Sequence, residues 1–368
     1  MVKEGDRTNV ANGPFPKVIY LSYLDQKYSR SGVHLTYLKS KSTEISTEFA
    51  TLRLPLKVNL LLLGRLVWEN RKNKCVYLVM SPANAILILL RILTRKKIIL
   101  DLGWPSLDST KLRSNSKSLM IKAFFLDFVC FHLASLVLLE SEAQRSRCQR
   151  IFLIGRKKLE VIHTGFNEIA FIQECKDGDR VSLEVRNVIE NSSYSTFVLF
   201  RGLDNVEAGL ENLVKAAIDL PSVFFCLASP NTEIKATTKN LAVIKSWLSA
   251  NDMEALYRRA NCVLGQLGDL PRNDWTIAHK VFEAGYFGKP LISSQSSALE
   301  EVFTEGKDIL FYSPSQSLSE LITDLVEMDN LSNLLGTEIR LTYNRKISQQ
   351  MIGQSFINVI KPLFKANS

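Results

Sequence analysis

No apolar run in this 368-residue chain is both long enough and clean enough to cross a membrane. The best stretch, Ser118 to Leu139, is broken by Lys122, Asp127 and His132. The opening residues, MVKEGDRTNVANGPFPK, lack the apolar centre of a signal peptide, and residues 1–16 read as a flexible polar tail. Cysteine is sparse and scattered. Cys75, Cys130, Cys148, Cys175, Cys226 and Cys262 contain no CxxC pair, and several sit in apolar runs. They read as reduced core thiols of a cytoplasmic protein, with neither a disulfide frame nor a zinc site. No basic segment is interleaved with aromatics as a nucleic-acid stacking platform requires, so nucleic acid is not an expected partner. The Asp177-Gly178-Asp179 triplet lies in a polar stretch and reads as a turn rather than a metal site. No metal and no cofactor are expected.

Apolar residues make up 46% of the chain, enough for substantial cores, and the length favours two domains. Apolar strand-like runs alternate with helix-like runs in both halves. KVIYLSYL, KCVYLVMS, KIILDL and SLVLLES punctuate the first half. TFVLFRGL, VFFCLAS, LAVIKSWL, NCVLGQL and PLISS punctuate the second. This alternation predicts parallel βαβ units and two doubly wound α/β domains. Gly32 is expected at a turn before a helix. The polar, turn-rich segment from Asn167 to Ser195 is taken as the junction. The resulting division is a first domain over 17–180, a second over 181–345 and a C-terminal helix over 346–368. Ligands of such sheets bind at the carboxyl ends of the strands, here in the cleft between domains.

The net charge is +9. Between Arg65 and Lys122, twelve Lys or Arg stand against Glu69, Asp101 and Asp108, an excess equal to that of the whole chain. A basic first half suits an anionic bilayer or a phosphorylated acceptor, or is simply a solvated surface. The run ILILLRILTRKK reads either as a buried helix or as one lying flat in a membrane interface, with Arg91, Arg95, Lys96 and Lys97 at the headgroups.

Three blocks of the second half, VLFRGLDNVEAGLENLVKAA, DMEALYRRANCVLGQLG and HKVFEAGYFGKPLISSQSSALEEVF, together resemble the nucleotide-sugar-binding half of family 4 GT-B glycosyltransferases. KVIYLSYL, KKIILDLGWP, SLVLLESEAQ and VIHTGFNE extend the likeness to the first half. The resemblance implies a GT-B fold, with two Rossmann-like domains facing a central cleft. It also implies retaining, metal-independent transfer of a sugar from a nucleoside diphosphate donor.

By position, Glu283 is then the acid for the ribose hydroxyls, since a carboxylate can accept two hydrogen bonds from a vicinal diol. On that basis Glu283→Gln is expected to weaken nucleotide binding with little loss of stability. Glu300 and Glu301 follow the next strand. Ser296, Ser297 and Ala298 occupy the place of a glycine-rich donor turn. Arg201 and Gly202, after the first strand, and Arg272 and Lys280 fall near the diphosphate. The family's usual first Glu is replaced by Trp275, its usual Arg and Lys by Leu203 and Ala208, and its first-domain His by Asp101. Asp101 and His34 are the catalytic candidates of the first domain. Alternatives stand beside these assignments: Lys280 with Glu283 as a surface ion pair, Asp101 as a cap of the Gly-Trp-Pro turn, and His34 as a core residue. Two rival functions are a non-catalytic GT-B scaffold subunit and a nucleotide-sugar epimerase. The expected partners are a nucleotide sugar and an anionic membrane surface or lipid-linked acceptor, with the protein peripheral on the inner face of the membrane.

Overall fold

The structure is a computed structural model that describes residues 16–24, 29–41, 45–53, 59–178, 180–313 and 315–365, and statements of absence below refer to these. All but Pro16 of the N-terminal tail, and Asp179 of the acidic triplet, lie outside them.

Two six-stranded sheets, parallel throughout, form the core of the molecule. The first is built from β1 (Lys17–Ser22), β2 (Ser46–Thr51), β3 (Cys75–Met80), β4 (Ile98–Asp101), β5 (Leu136–Leu139) and β6 (Leu159–Val161), in the order β2-β1-β3-β4-β5-β6. The second is built from β7 (Thr196–Arg201), β8 (Val223–Ala228), β9 (Leu241–Ile244), β10 (Cys262–Leu264), β11 (Leu291–Ser294) and β12 (Leu310–Tyr312), in the order β12-β11-β10-β7-β8-β9. Parallel strands covered on both faces read as unbroken apolar runs. CVYLVM of β3 and VFFCLA of β8 are of this kind, and every residue in them is buried.

Alternate residues of the first sheet feed opposite layers. Ile19, Leu21, Tyr77 and Val79 pack with α2 (Asn59–Glu69), α3 (Asn84–Leu93), α5 (Lys117–Leu133) and α6 (Glu142–Phe152). Val18, Tyr20, Val76 and Leu78 pack with α1 (Ser29–Ser40) and α15 (Gln349–Lys365). The C-terminal helix α15 thus returns to the first domain. A Cβ at Gly353 would lie 2.1 Å from the Tyr37 ring, so only glycine admits this close helix crossing.

Several local expectations change. Gly32 lies inside α1 and not at a turn, because a helix pinned by Val33, Leu35 and Leu38 in the core tolerates one glycine. The stretch from Asn167 to Ser195 holds two helices, α7 (Glu168–Asp177) and α8 (Leu183–Glu190), started by side-chain caps from Asn167 and Ser182. The first turns of the run ILILLRILTRKK are core and its end is not: Ile86, Leu87 and Leu90 are buried, Arg91 is tied to the carbonyls of Lys96 and Leu133, and Ile92 and Leu93 are exposed. Strands β2 and β12 and helix α2 had no clear signal. β2 is a half-buried edge strand, and β12 is only three residues long.

Candidate active site

In each sheet the strand order reverses at one point, between β1 and β3 and between β7 and β10. The carboxyl ends there form the crevice where doubly wound sheets take ligands. In the second sheet that crevice is bounded by Arg201, the last residue of β7, with Gly202 after it, and by Gly265-Gln266 after β10. The helix α11 (His279–Phe287) points its first turn at it.

Lys280 enters this crevice. It is buried, and its ammonium lies 3.5 Å from the centroid of the Phe200 ring. Its one hydrogen bond among the described residues goes to the Gly265 carbonyl at 3.3 Å. A Cβ at Gly202 would stand 3.3 Å from the Lys280 Nζ, so the absence of a side chain leaves the ammonium room. Burial lowers the Lys280 pKa to about 7, with Arg201 also lowering it and Glu283 acting the other way.

Glu283, one turn on, is also buried. One carboxylate oxygen accepts from Arg201 Nη1 at 2.6 Å, and the other from the Tyr257 hydroxyl at 2.6 Å. The alternative of a surface Lys280–Glu283 pair therefore fails on two counts: both groups are buried, and the partner of Glu283 is Arg201. The carboxylate ties α11 to β7 and to α10 (Ala250–Arg259). A ribose would meet only the remaining lone pair of each oxygen.

The other second-domain candidates lie against the first domain. Arg272 pairs with Glu207, and its guanidinium carbon sits 3.2 Å from the centroid of the Trp104 ring. Trp275, in the place of the family's first Glu, lies under Arg147 of α6, at 4.2 Å, and its carbonyl accepts from Ser141 Oγ at 2.7 Å. Glu301 accepts from the backbone N–H groups of Glu142 and Ala143, each at 2.7 Å. Its carboxylate thus caps the first turn of α6, where negative charge is favoured. Glu300 accepts from Gln295 at 2.6 Å. Ser297 N donates to Asp274 at 2.8 Å, and Ala298 is fully buried. In this arrangement neither group is open to a ligand: Glu301 is engaged by the first domain, and the Ser297 N–H by Asp274 of its own domain. Glu301→Ala should cost about 1 kcal/mol of stability, the usual worth of a cap. It should also speed amide exchange at Glu142 and Ala143. Hydrogen exchange reads this directly, and unchanged protection at both amides would show that the contact is unimportant.

On the first domain, Asp101 ends β4 and is buried, with one oxygen 2.6 Å from Arg30 Nε. Its other oxygen has no hydrogen-bond partner among the described residues. Arg30 also bonds the Ile162 carbonyl at 2.8 Å and stands 3.9 Å from Glu140. Glu140, at the end of β5, accepts from Thr164 Oγ1 at 2.6 Å, and burial raises its pKa while Arg30 opposes the shift. Arg272 acts on Glu140 electrostatically across the cleft. Asp101 is thus an ion-pair partner and not a turn cap. His34 takes the core alternative. It is fully buried and stacks on Phe356 of α15, with ring centroids 4.3 Å apart. Burial takes its pKa down to about 4, with Arg30 also lowering it and Asp101 acting the other way, so it is a neutral, buried ring beside the Arg30–Asp101 pair.

Arg30, Glu140 and Tyr257 were not singled out from the sequence. Glu140 had a signal, as a charged residue closing the apolar run SLVLL. Tyr257 and Arg30 had none. Among the described residues no group of three His, Cys, Asp or Glu is placed to hold a metal ion.

The comparisons with known proteins bear on the fold. The model of the glycosyl transferase-like family matches residues 211–349. Sucrose-phosphate synthase from Thermosynechococcus elongatus is similar over 96% of this chain and 100% of its own, with a TM-score of 0.71 at 13% identity. HepE from Anabaena, in complex with UDP, is similar over 94% of this chain and 100% of its own, with a TM-score of 0.67 at 14% identity. A UDP-forming α,α-trehalose-phosphate synthase from Burkholderia vietnamiensis covers 94% of this chain and 96% of its own, with a TM-score of 0.65 at 13% identity. No curated protein sequence matches the chain. The fold is the two-domain α/β fold of the GT-B glycosyltransferases, and the family match over the second domain supports an enzyme of that class.

Proposed function

We propose that the protein transfers a sugar from a nucleoside diphosphate donor, with UDP-sugars first among the candidates, to an acceptor held by the first domain. The observation that carries this is the buried Lys280 ammonium at the reversal point of the second sheet. It lies between two glycines and is held by a single long hydrogen bond. Burying a poorly paired cation is costly unless a ligand completes its shell. The diphosphate leaving group of a nucleotide sugar is such a ligand, and Arg201 beside it adds a second cation.

Transfer then depends on stabilising the charge that develops on the leaving diphosphate. Lys280 and Arg201 supply that charge from the protein side, and the proposed reaction is retaining and independent of a divalent ion. Glu283 orients both cations and offers its remaining lone pairs to the ribose. The Arg30, Asp101 and Glu140 cluster, facing Arg272 across the cleft, is the proposed acceptor side. Closure through Glu301, Trp275 and Arg272 would keep water from the donor.

Two measurements test the proposal. A thermal-shift panel of nucleotides and nucleotide sugars should show a raised melting temperature with UDP or a UDP-sugar, since a ligand of the native state stabilises it. A diphosphate placed beside Lys280 should also raise the lysine's pKa, so binding takes up protons above pH 7. UDP affinity should fall about tenfold between pH 7 and 8.5, within the limit of about tenfold per pH unit for one linked proton. Calorimetry at pH 8 in buffers of different ionisation enthalpy reads the uptake. No shift with any nucleotide sinks the donor assignment. Binding without proton uptake removes Lys280 from the diphosphate. Donor hydrolysis or transfer separates an enzyme from a scaffold on the same fold.

A further inference from the structure

The outer layer of the first domain carries a cluster of exposed apolar side chains that the proposed reaction does not use. Helix α3 packs against α2 on one side and α5 on the other, so the three lie side by side on one face of the first sheet. Outward from that layer, α2 exposes 87% of Leu61 and 66% of Trp68, the end of α3 exposes 77% of Ile92, and α5 exposes 57% of Ile121 and 58% of Phe125. Along α5, Ser118, Ile121, Phe125 and Val129 are all exposed and recur at helical spacing, forming one stripe. Single exposed apolar residues are ordinary, but a run of large ones across three neighbouring helices marks an interaction surface.

The charge around it is of one sign. Arg71, Lys74, Arg95, Arg113, Lys117 and Lys122 are exposed around these side chains. The acids of the same segment are already engaged. Glu69 pairs with Arg65, Asp101 with Arg30 and Asp108 with Arg147, and Asp127 is buried under Asn84 and Leu107 N. A second copy of this face in a two-fold contact would set these cations against their own counterparts. Among the described residues none of these cations has a carboxylate partner, and Arg71 stacks on the Trp68 ring at 3.8 Å. A surface of large aliphatic and aromatic side chains ringed by such Lys and Arg instead complements anionic lipid. The apolar groups enter the boundary of headgroup and acyl chain, and the cations remain at phosphate depth.

We propose that the α2–α3–α5 face docks on an anionic bilayer, with Leu61, Trp68, Ile92, Ile121 and Phe125 as its inserting residues. This places the α3 contact at Ile92, its outward end, while Arg91 stays tied inside the fold. The proposal rests on the transferase reading only for its purpose, which is delivery of an acceptor from the membrane to the first domain.

The test is flotation of the full chain with vesicles of phosphatidylcholine alone or phosphatidylcholine with phosphatidylglycerol, at low and high salt. Binding is expected only to the anionic vesicles and should fall about tenfold or more at high salt. The double substitution Ile121→Asp, Phe125→Asp should weaken it by about tenfold or more. The melting temperature and any UDP shift should stay unchanged, because both side chains are exposed and far from Lys280 in the topology. Absence of anionic-vesicle binding overturns the proposal, as does binding that the double substitution leaves intact. So does a dimer that the same substitution dissolves in a chain that never floats. Flotation without any UDP shift would leave this surface standing and remove the donor assignment instead.

Discussion

Lys280→Met is expected to make the protein more stable and a weaker binder at once. The methionine keeps an unbranched stem against Phe200 and removes a charge that the fold buries. The sign follows from the pKa change. In the folded chain the ammonium titrates at about 7, and its ordinary value is 10.5. Between these values the unfolded chain holds a proton that the folded chain has lost, so the wild-type protein gains stability as pH rises through this window. The penalty is fully present below pH 7 and gone above 10.5. The gain from Lys280→Met should therefore be largest near pH 6.5, on the order of 3 kcal/mol or more, and should vanish toward pH 10.5. Urea denaturation across that range measures it. UDP affinity should fall roughly ten- to a hundredfold, the worth of a lost charge-assisted bond. A variant less stable than wild type at pH 6.5 would show that the lysine is a well-paired structural group, and the case for a ligand there would lapse.

Glu283→Gln should have the opposite effect on stability. Its carboxylate is the counter-ion that lets Arg201 and Lys280 share one buried site. Without it two cations face each other with no compensating charge. Removing one member of a buried pair costs about 3–5 kcal/mol. The lower end applies here, because 28% of the Arg201 side chain is still in solvent and the Tyr257 hydroxyl can still donate to the amide oxygen. The expectation from sequence, of weakened binding with little loss of stability, is therefore revised by the two bonds that Glu283 makes. Adding Arg201→Met to Glu283→Gln should recover much of the loss, and a double-mutant cycle in urea would give the coupling. Additive effects of the two substitutions would mean that the pair is energetically idle. A Glu283→Gln variant as stable as the wild type would restore the simple ribose-binding role.

These two substitutions separate function from packing within one helical turn. On the proposed reading the lysine is held at a cost that a ligand offsets, and the glutamate is held because the fold needs it. The contacts of Glu301, Trp275 and Arg272 with the first domain belong to a third category. They close the cleft, and a donor must enter before they form or after they open. That links the speed of the proposed reaction to domain opening, as in other enzymes whose closure excludes water.

Much of the architecture was legible in the chain itself. Unbroken apolar strands such as CVYLVM and VFFCLA, set between helical runs, can be satisfied only by parallel sheets covered on both sides, and two such series make two domains. The Lys280-x-x-Glu283 spacing before Gly288-Lys289-Pro290 put two charged groups on the helix that follows β10. The reason is local: strand and helix periodicities report which side chains must leave water, whatever they meet there. Identity of the partner is a different matter. Arg201 and Glu283 are 82 positions apart, Glu301 and Ala143 are 158 apart, and Phe356 comes 322 positions after His34. No periodicity encodes such meetings. The sequence by itself determined that a lysine and a glutamate would start α11 and that an acid would follow β11. Only the tertiary structure decided that the lysine would be buried with one weak partner, that Glu301 would cap a helix of the other domain, that His34 would be sealed under α15, and that the apolar residues of α2 and α5 would lie together on an outer face. Burial, and so the strength of each electrostatic interaction, is set by which surfaces the folded chain brings together.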